Sequence, residues 1–236
     1  MPNILIVEDD ININNLLCEV LRKAGYTCEQ AFSGTEAKLL LDIKEKAYTL
    51  VLLDLMLPGA SGEEVLKEIR KQGRLPVIVL TAKDSIDDKI GVLTDGADDY
   101  ITKPFNPLEL IARVNSQIRR YTHLGSIADK QQEGNTYWSG ELVINDDTKQ
   151  VTVEGKDVKL TPTEYNILKF LTKNKGIVYS IEQIYQNVWE DECYGAENII
   201  AVHIRHIREK IEINPREPKY LKVIWGIGYK IENLEK

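Results

Sequence analysis

Three runs of four apolar residues, Ile4–Val7, Leu50–Leu53 and Val77–Leu80, each give way at once to polar residues. Runs that are apolar on both faces suit a parallel sheet covered by helices on either side. Thr27–Ala31 and Tyr100–Thr102 read as two more strands. Between the strands the chain is amphipathic: Ile13, Leu16, Leu17, Val20 and Leu21 fall on one helical face. Ser33-Gly34-Thr35-Glu36 reads as a capping box, and Asn106-Pro107-Leu108-Glu109 puts proline at the first helical position. Residues 1–121 therefore predict an α/β domain, a doubly wound five-stranded parallel sheet. Ligands of such a sheet bind at the carboxyl ends of its strands.

The grammar then changes. Residues 122–136 are polar and lose the periodicity, so they read as a linker. In 137–234, strands are expected at Leu142–Ile144, Gln150–Val153 and Val158–Leu160. A helix capped by Thr161-Pro162-Thr163-Glu164 follows, then helices near 180–189 and 196–213, and a hairpin of Leu221–Ile224 and Tyr229–Ile231. Sheet, three helices and hairpin is the order of an α+β winged helix. Composition excludes other classes. No apolar run approaches the roughly 20 residues of a membrane span, and Met1-Pro2-Asn3 leads into a strand with no secretory signal. Cys18, Cys28 and Cys193 are odd in number and form no C-x-x-C pair, which fits a reducing cytosol rather than a disulfide framework. We therefore expect a cytoplasmic protein with no membrane partner. Net charge is −7, and from residue 121 on 15 Lys and Arg stand against 18 Asp and Glu, a net of −3. Any attraction to nucleic acid must be local.

The strand ends carry the chemistry. The first strand ends in Glu8-Asp9-Asp10, the third in Asp54, the fourth in Thr81 and the fifth in Lys103. Asp10 has a plain structural role available, capping the next helix. Clustered carboxylates call for a hard divalent cation, and Mg²⁺ favours one or two carboxylates with waters and phosphate oxygens. An ammonium and a hydroxyl beside them fit the remaining oxygens of a phosphoryl group, with Asp54 as nucleophile. Gly226-Ile227-Gly228 lies in a hairpin, so it is no dinucleotide fingerprint, and there is no Walker A sequence.

Val7-Glu8-Asp9-Asp10, Leu53-Asp54-Leu55-Met56-Leu57-Pro58-Gly59, Leu80-Thr81-Ala82 and Asp98-Asp99-Tyr100-Ile101-Thr102-Lys103-Pro104-Phe105 resemble the receiver domain of bacterial two-component response regulators. That domain has a flavodoxin-like sheet. End to end, the chain resembles the OmpR/PhoB winged-helix subfamily, and most of all its glycopeptide-resistance-type branch. The resemblance implies that Asp54 accepts a phosphoryl group from a sensor histidine kinase. It also implies that Asp9, Asp54 and the Met56 carbonyl hold Mg²⁺ or Mn²⁺, with Glu8 helping through water. Lys103 would contact the phosphoryl group, its peptide bond to Pro104 being cis, and Thr81 and Tyr100 would form the switch pair. A haloacid-dehalogenase-type phosphohydrolase shares much of this set, but its second aspartate is replaced here by Met56, so no enzyme beyond self-phosphorylation and autodephosphorylation is expected.

By the same resemblance, a homodimer formed on phosphorylation would pair Lys89 with Glu109, Asp99 with Arg113 and Asp98 with Arg120. Within 196–213, Ile200, Ile204, Ile207 and Ile211 are spaced to bury one face. Asn198, Val202, Arg205, His206 and Glu209 are then expected to face the groove of double-stranded DNA, with Arg208 and Lys210 on phosphate. His203 and His206 could share a metal, but the sequence shows no third ligand. Trp225 stands where many relatives place an arginine in the wing; it either packs under the wing or stacks on the DNA backbone. Direct-repeat operators and RNA polymerase complete the expected partners.

Overall fold

The computed structural model describes residues 2–43, 48–73, 75–82, 96–125, 135–189 and 197–235. It divides into two compact units, Met1–Tyr121 and Thr122–Lys236.

In the first unit, β1 (Asn3–Val7), α1 (Ile11–Lys23), β2 (Thr27–Ala31), α2 (Gly34–Ile43), β3 (Leu50–Asp54), α3 (Gly62–Gln72), β4 (Val77–Thr81), β5 (Asp99–Thr102) and α4 (Pro107–Gly125) follow in order. The five strands are parallel in the order β2-β1-β3-β4-β5. Leu50–Leu53 and Val77–Leu80 are wholly buried, as strands covered on both faces must be. Ile4, Ile6, Leu52, Ile78 and Leu80 meet Leu17 and Leu21 of α1 and Leu110 and Val114 of α4 in one core. Each such side chain contributes about 1.5–3 kcal/mol by leaving water. The caps follow the sequence. Asp10 accepts from the amides of Asn12 and Ile13 at 2.8 and 3.1 Å. Asn106 accepts from Leu108 N at 2.9 Å. Ser33 accepts from Glu36 N, while the Glu36 carboxylate reaches back to Phe32 N, one residue earlier than a capping box requires.

In the second unit, β6 (Thr136–Ser139), β7 (Leu142–Asn145), β8 (Gln150–Val153) and β9 (Lys156–Asp157) form an antiparallel sheet in sequence order. Three helices follow, α5 (Pro162–Lys173), α6 (Ile181–Trp189) and α7 (Glu197–Ile211), then the hairpin β10 (Leu221–Ile224) and β11 (Gly228–Ile231). Two expectations are corrected. The segment 122–136 is shorter than a linker of that length, because α4 continues to Gly125 and β6 begins at Thr136. Polar Thr136 and Ser139 hide a strand whose Tyr137 and Trp138 pair with Ile144 and Val143. Val158–Leu160 is not a strand: after one bond from Val158 N to Val151 O the chain turns into the Thr161 cap of α5.

Candidate functional site

Glu8 and Asp9 follow β1, Asp54 and Thr81 end β3 and β4, and Lys103 follows β5, so the sheet brings all five to one rim. Glu8, Asp54 and Thr81 are buried while Asp9 is exposed. Carboxylate oxygens of Glu8, Asp9 and Asp54 lie within 4.8 Å of one another. The Lys103 ammonium donates to Glu8 Oε2 at 2.6 Å and to Asp54 Oδ2. Burial pushes the Glu8 carboxyl above its usual range, an effect Lys103 opposes. Burial alone would lower the Lys103 ammonium, but its bonds to Asp54 and Glu8 outweigh that and raise it. Lys103 therefore stays charged. Its main chain is held by Thr81, whose O accepts from Lys103 N at 2.7 Å; the peptide bond to Pro104 is cis, as the resemblance implied.

Met56 N donates to Asp54 Oδ1 at 2.9 Å, which aims the carboxylate along the loop after β3. Gly62, missed in the sequence, supports that loop. A Cβ there would sit 2.2 Å from the Asp54 carbonyl oxygen, so only glycine lets α3 start this close behind it. Tyr100 is half-buried, and burial followed by the Asp99 carboxylate raises its phenol. This donor set of hard oxygens fits a divalent cation such as Mg²⁺ or Mn²⁺.

The charges expected to pair between two copies are engaged inside one. Asp99 is fully buried and holds Arg113 Nη1 through both oxygens, at 3.0 and 3.1 Å, while Arg113 Nε donates to Glu109 at 3.0 Å. Asp98 is also fully buried; it accepts from Arg70 Nη2 at 2.6 Å and from Val77 N at 3.0 Å. Asp98 thus ties α3 to the start of β4 and β5 rather than presenting charge to a partner. Lys89 and the Arg120 side chain lie outside the described residues.

On α7 the buried face is wider than the isoleucine stripe. Ile200, Ile204, Ile207 and Ile211 are buried as expected, but so are Val202, His203 and His206. The helix packs against both α5 and α6, so a second arc is covered, and Val202 and His206 do not face a groove. His206 lies 3.8 Å from Glu164 Oε1, and burial lowers its imidazole below the usual range. Glu164, His203 and His206 form a buried cluster, so a third potential ligand does exist, 39 positions before His203 in the chain. Its carboxylate is already taken by the Lys210 ammonium at 2.5 Å and by Thr161 N at 2.8 Å. Lys210, expected on phosphate, is exposed and bonds Glu164 within the chain. Ala201, Arg205 and Glu209 remain exposed, with Arg205 Nε on Glu209 at 2.9 Å. Trp225 is 88% exposed at the hairpin tip, which excludes packing under the wing. The Asn198 side chain lies outside the described residues.

A doubly wound sheet with an acidic, lysine-bearing rim, joined to a sheet, three helices and a hairpin, defines a receiver coupled to a winged-helix effector. Comparison with known proteins agrees. Residues 4–115 match the model of the response regulator receiver domain, and 155–231 that of the transcriptional regulatory protein C-terminal domain. The regulatory protein VanR of Enterococcus faecium is 46% identical over 97% of this chain and 98% of its own. The transcriptional regulatory protein ResD of Bacillus subtilis is 36% identical over 97% and 95%. The crystal structure of the response regulator DrrB, described as a Thermotoga maritima OmpR/PhoB homologue, is 34% identical, with a TM-score of 0.50 over 98% of this chain and 99% of that one. The chain belongs to the OmpR/PhoB-type two-component response regulators, transcriptional regulators with a receiver and a winged-helix DNA-binding domain. The family is one of transcription factors rather than catalytic enzymes. Among the described residues no helix is long and apolar enough to cross a membrane.

Proposed function

We propose that Asp54 is the phosphoacceptor of a cytoplasmic transcription switch driven by a sensor histidine kinase. The observation that carries this is the convergence of Asp54, Glu8 and Lys103 on one rim, with the ammonium bonded to both carboxylates. A carboxylate oxygen of Asp54 attacks phosphorus, the bond to the donor's imidazole nitrogen breaks, and an acyl phosphate forms. Asp9, Asp54 and the Met56 carbonyl would hold Mg²⁺ or Mn²⁺, Glu8 assisting through water, and the cation would supply charge neutralisation of the phosphoryl oxygens. Lys103 stands ready to leave Asp54 for a phosphoryl oxygen, and the Thr81 hydroxyl can follow while the Tyr100 ring turns inward. Phosphorylation acts by favouring an active state over an inactive one.

In that state two copies would dimerise through Asp99, Glu109, Arg113, Lys89 and Arg120, with Asp99 and Glu109 exchanging the Arg113 pairs now made within each chain. Asp98, held by Arg70, is left out of this face. The effector would read direct repeats about 10–10.5 base pairs apart and recruit RNA polymerase. Arg205, on the exposed side of α7, is the residue for a base edge, and Trp225 for the DNA backbone. The test is labelling by acetyl phosphate, followed on phosphate-affinity gels. Wild type should shift in Mg²⁺ and not in EDTA, and Asp54→Asn should not shift. A normal shift of the variant would move the phosphosite elsewhere.

A further inference from the structure

We propose that Glu212 and Arg208 are positioning residues that lock α7 and the hairpin into one rigid DNA-reading head. Glu212 is buried just past the end of α7, and its carboxylate collects three consecutive amides at the entry to β10. Oε2 accepts from Lys219 N at 2.6 Å; Oε1 accepts from Tyr220 N at 2.9 Å and Leu221 N at 2.8 Å. Three amides on one carboxylate fix both the angle and the register at which the hairpin leaves the helix.

One turn earlier, Arg208 closes the other side. Its Nε donates to Leu221 O at 2.9 Å, so Leu221 is held through both its amide and its carbonyl. Arg208 Nη2 is buried and has no hydrogen-bond partner among the described residues. A half-buried guanidinium whose Nε holds Leu221 O and whose Nη2 turns inward acts as a strut between α7 and the hairpin. Burial accordingly lowers its pKa from the ordinary arginine value. The hairpin's second strand is anchored as well, by paired 2.9 Å bonds between the main chains of Tyr179 and Tyr229. Among the described residues nothing comparable holds the tip, where Trp225 and Ile227 project into solvent. Glu212 and Arg208 hold the hairpin's first strand to α7, and the Tyr179–Tyr229 pair holds its second strand, so together they set the distance between Arg205 on the helix and Trp225 on the wing.

This rests on the reading that the second unit binds duplex DNA, and it predicts signs that plain electrostatics does not. Removing a carboxylate from a protein that approaches phosphates should tighten binding. Removing the Glu212 clamp should loosen it. The experiment measures binding of the full-length protein to one duplex selected by the wild type from random DNA, across a salt series. Glu212→Gln, close in shape and uncharged, should bind about tenfold more weakly. Amide exchange at Lys219, Tyr220 and Leu221 should accelerate in the same variant. Arg208→Ala should lose a similar factor at an unchanged salt slope, whereas loss of a phosphate contact would flatten the slope by about 0.9. Thermal unfolding and the fluorescence of buried Trp189 check that both variants are folded; if Glu212→Gln is not, Glu212→Asp, which draws the carboxylate back from the three amides, takes its place, and if Arg208→Ala is not, Arg208→Gln does. Glu212→Gln binding as well as or better than wild type, or a flattened slope for Arg208→Ala, overturns the proposal. Failure of the wild type itself to select any duplex would instead overturn the DNA-binding reading beneath it.

Discussion

Lys103→Met should tighten divalent-metal binding while weakening phosphoryl acceptance, two effects of opposite sign from one substitution. The ammonium lies 2.6 Å from Glu8 and also bonds Asp54, and Asp9 is the third carboxylate of the cluster. Three carboxylates and one ammonium carry −2; the variant carries −3 and presents a cation with more charge. Unit charges about 4 Å apart interact by about 4 kcal/mol at an effective dielectric of about 20. Lys103 is 16% exposed and able to swing toward solvent, so only part of that is gained. The expected minimum is about tenfold in affinity, or about 1.4 kcal/mol. Methionine keeps most of the apolar stem and changes packing little. The assay is calorimetric titration of Mg²⁺ into the full chain, beside labelling by acetyl phosphate. Labelling should fall because the group facing the phosphoryl oxygens is gone. Unchanged or weaker metal binding would refute the placement of a cation among these carboxylates, and undiminished labelling would remove Lys103 from phosphoryl contact.

Arg113→Glu strips buried Asp99 of its partner and adds a third carboxylate beside Glu109, so the first unit should lose about 3–5 kcal/mol of stability; an unchanged urea transition contradicts the in-chain pair. Arg205→Ala should cost about 1–3 kcal/mol at one base position and leave the others alone; retention of every preference in competition against randomised duplexes means another side chain reads the base. Of the three tryptophans Trp189 is buried and Trp138 half-buried, so iodide quenching reports mainly on Trp225. That quenching should fall on DNA binding, and its persistence would place the wing tip off the DNA.

The pocket was legible because its residues are punctuation: each functional group stands where an apolar run stops, and the parallel sheet aligns those stops. Asp54 and Lys103 are 49 positions apart, yet strand order alone brings them together. The face of α7 was less legible. One isoleucine stripe suggested one buried side, but contact with both α5 and α6 widened the buried arc and took in Val202 and His206. Glu212 escaped notice for a different reason, whereas Glu164 was legible as a helix cap and its bond to Lys210 was not. An acidic residue in a polar stretch looks solvated until the amides it caps are seen, as the 2.6–2.9 Å bonds from Lys219, Tyr220 and Leu221 to Glu212 show. Trp225 went the other way. A tryptophan is ordinarily buried, but the turn Trp225-Gly226-Ile227, with Gly226 at φ +74°, carries it outward. Charges on the sheet edge were legible as charges and not as partners, since sequence does not say whether Asp99 meets an Arg113 of its own chain, as it does here, or of another.

The central claim is that phosphoryl chemistry in one unit controls DNA binding by the other. Its most direct test is the affinity of the full-length protein for a selected duplex, with and without acetyl phosphate and Mg²⁺, for wild type and for Asp54→Asn. Wild type should bind more tightly once labelled, at least tenfold if the phosphoryl group shifts the equilibrium by about 1.4 kcal/mol, and Asp54→Asn should show no gain. An equal gain in Asp54→Asn, or a fully labelled wild type that binds no better than before, would contradict it.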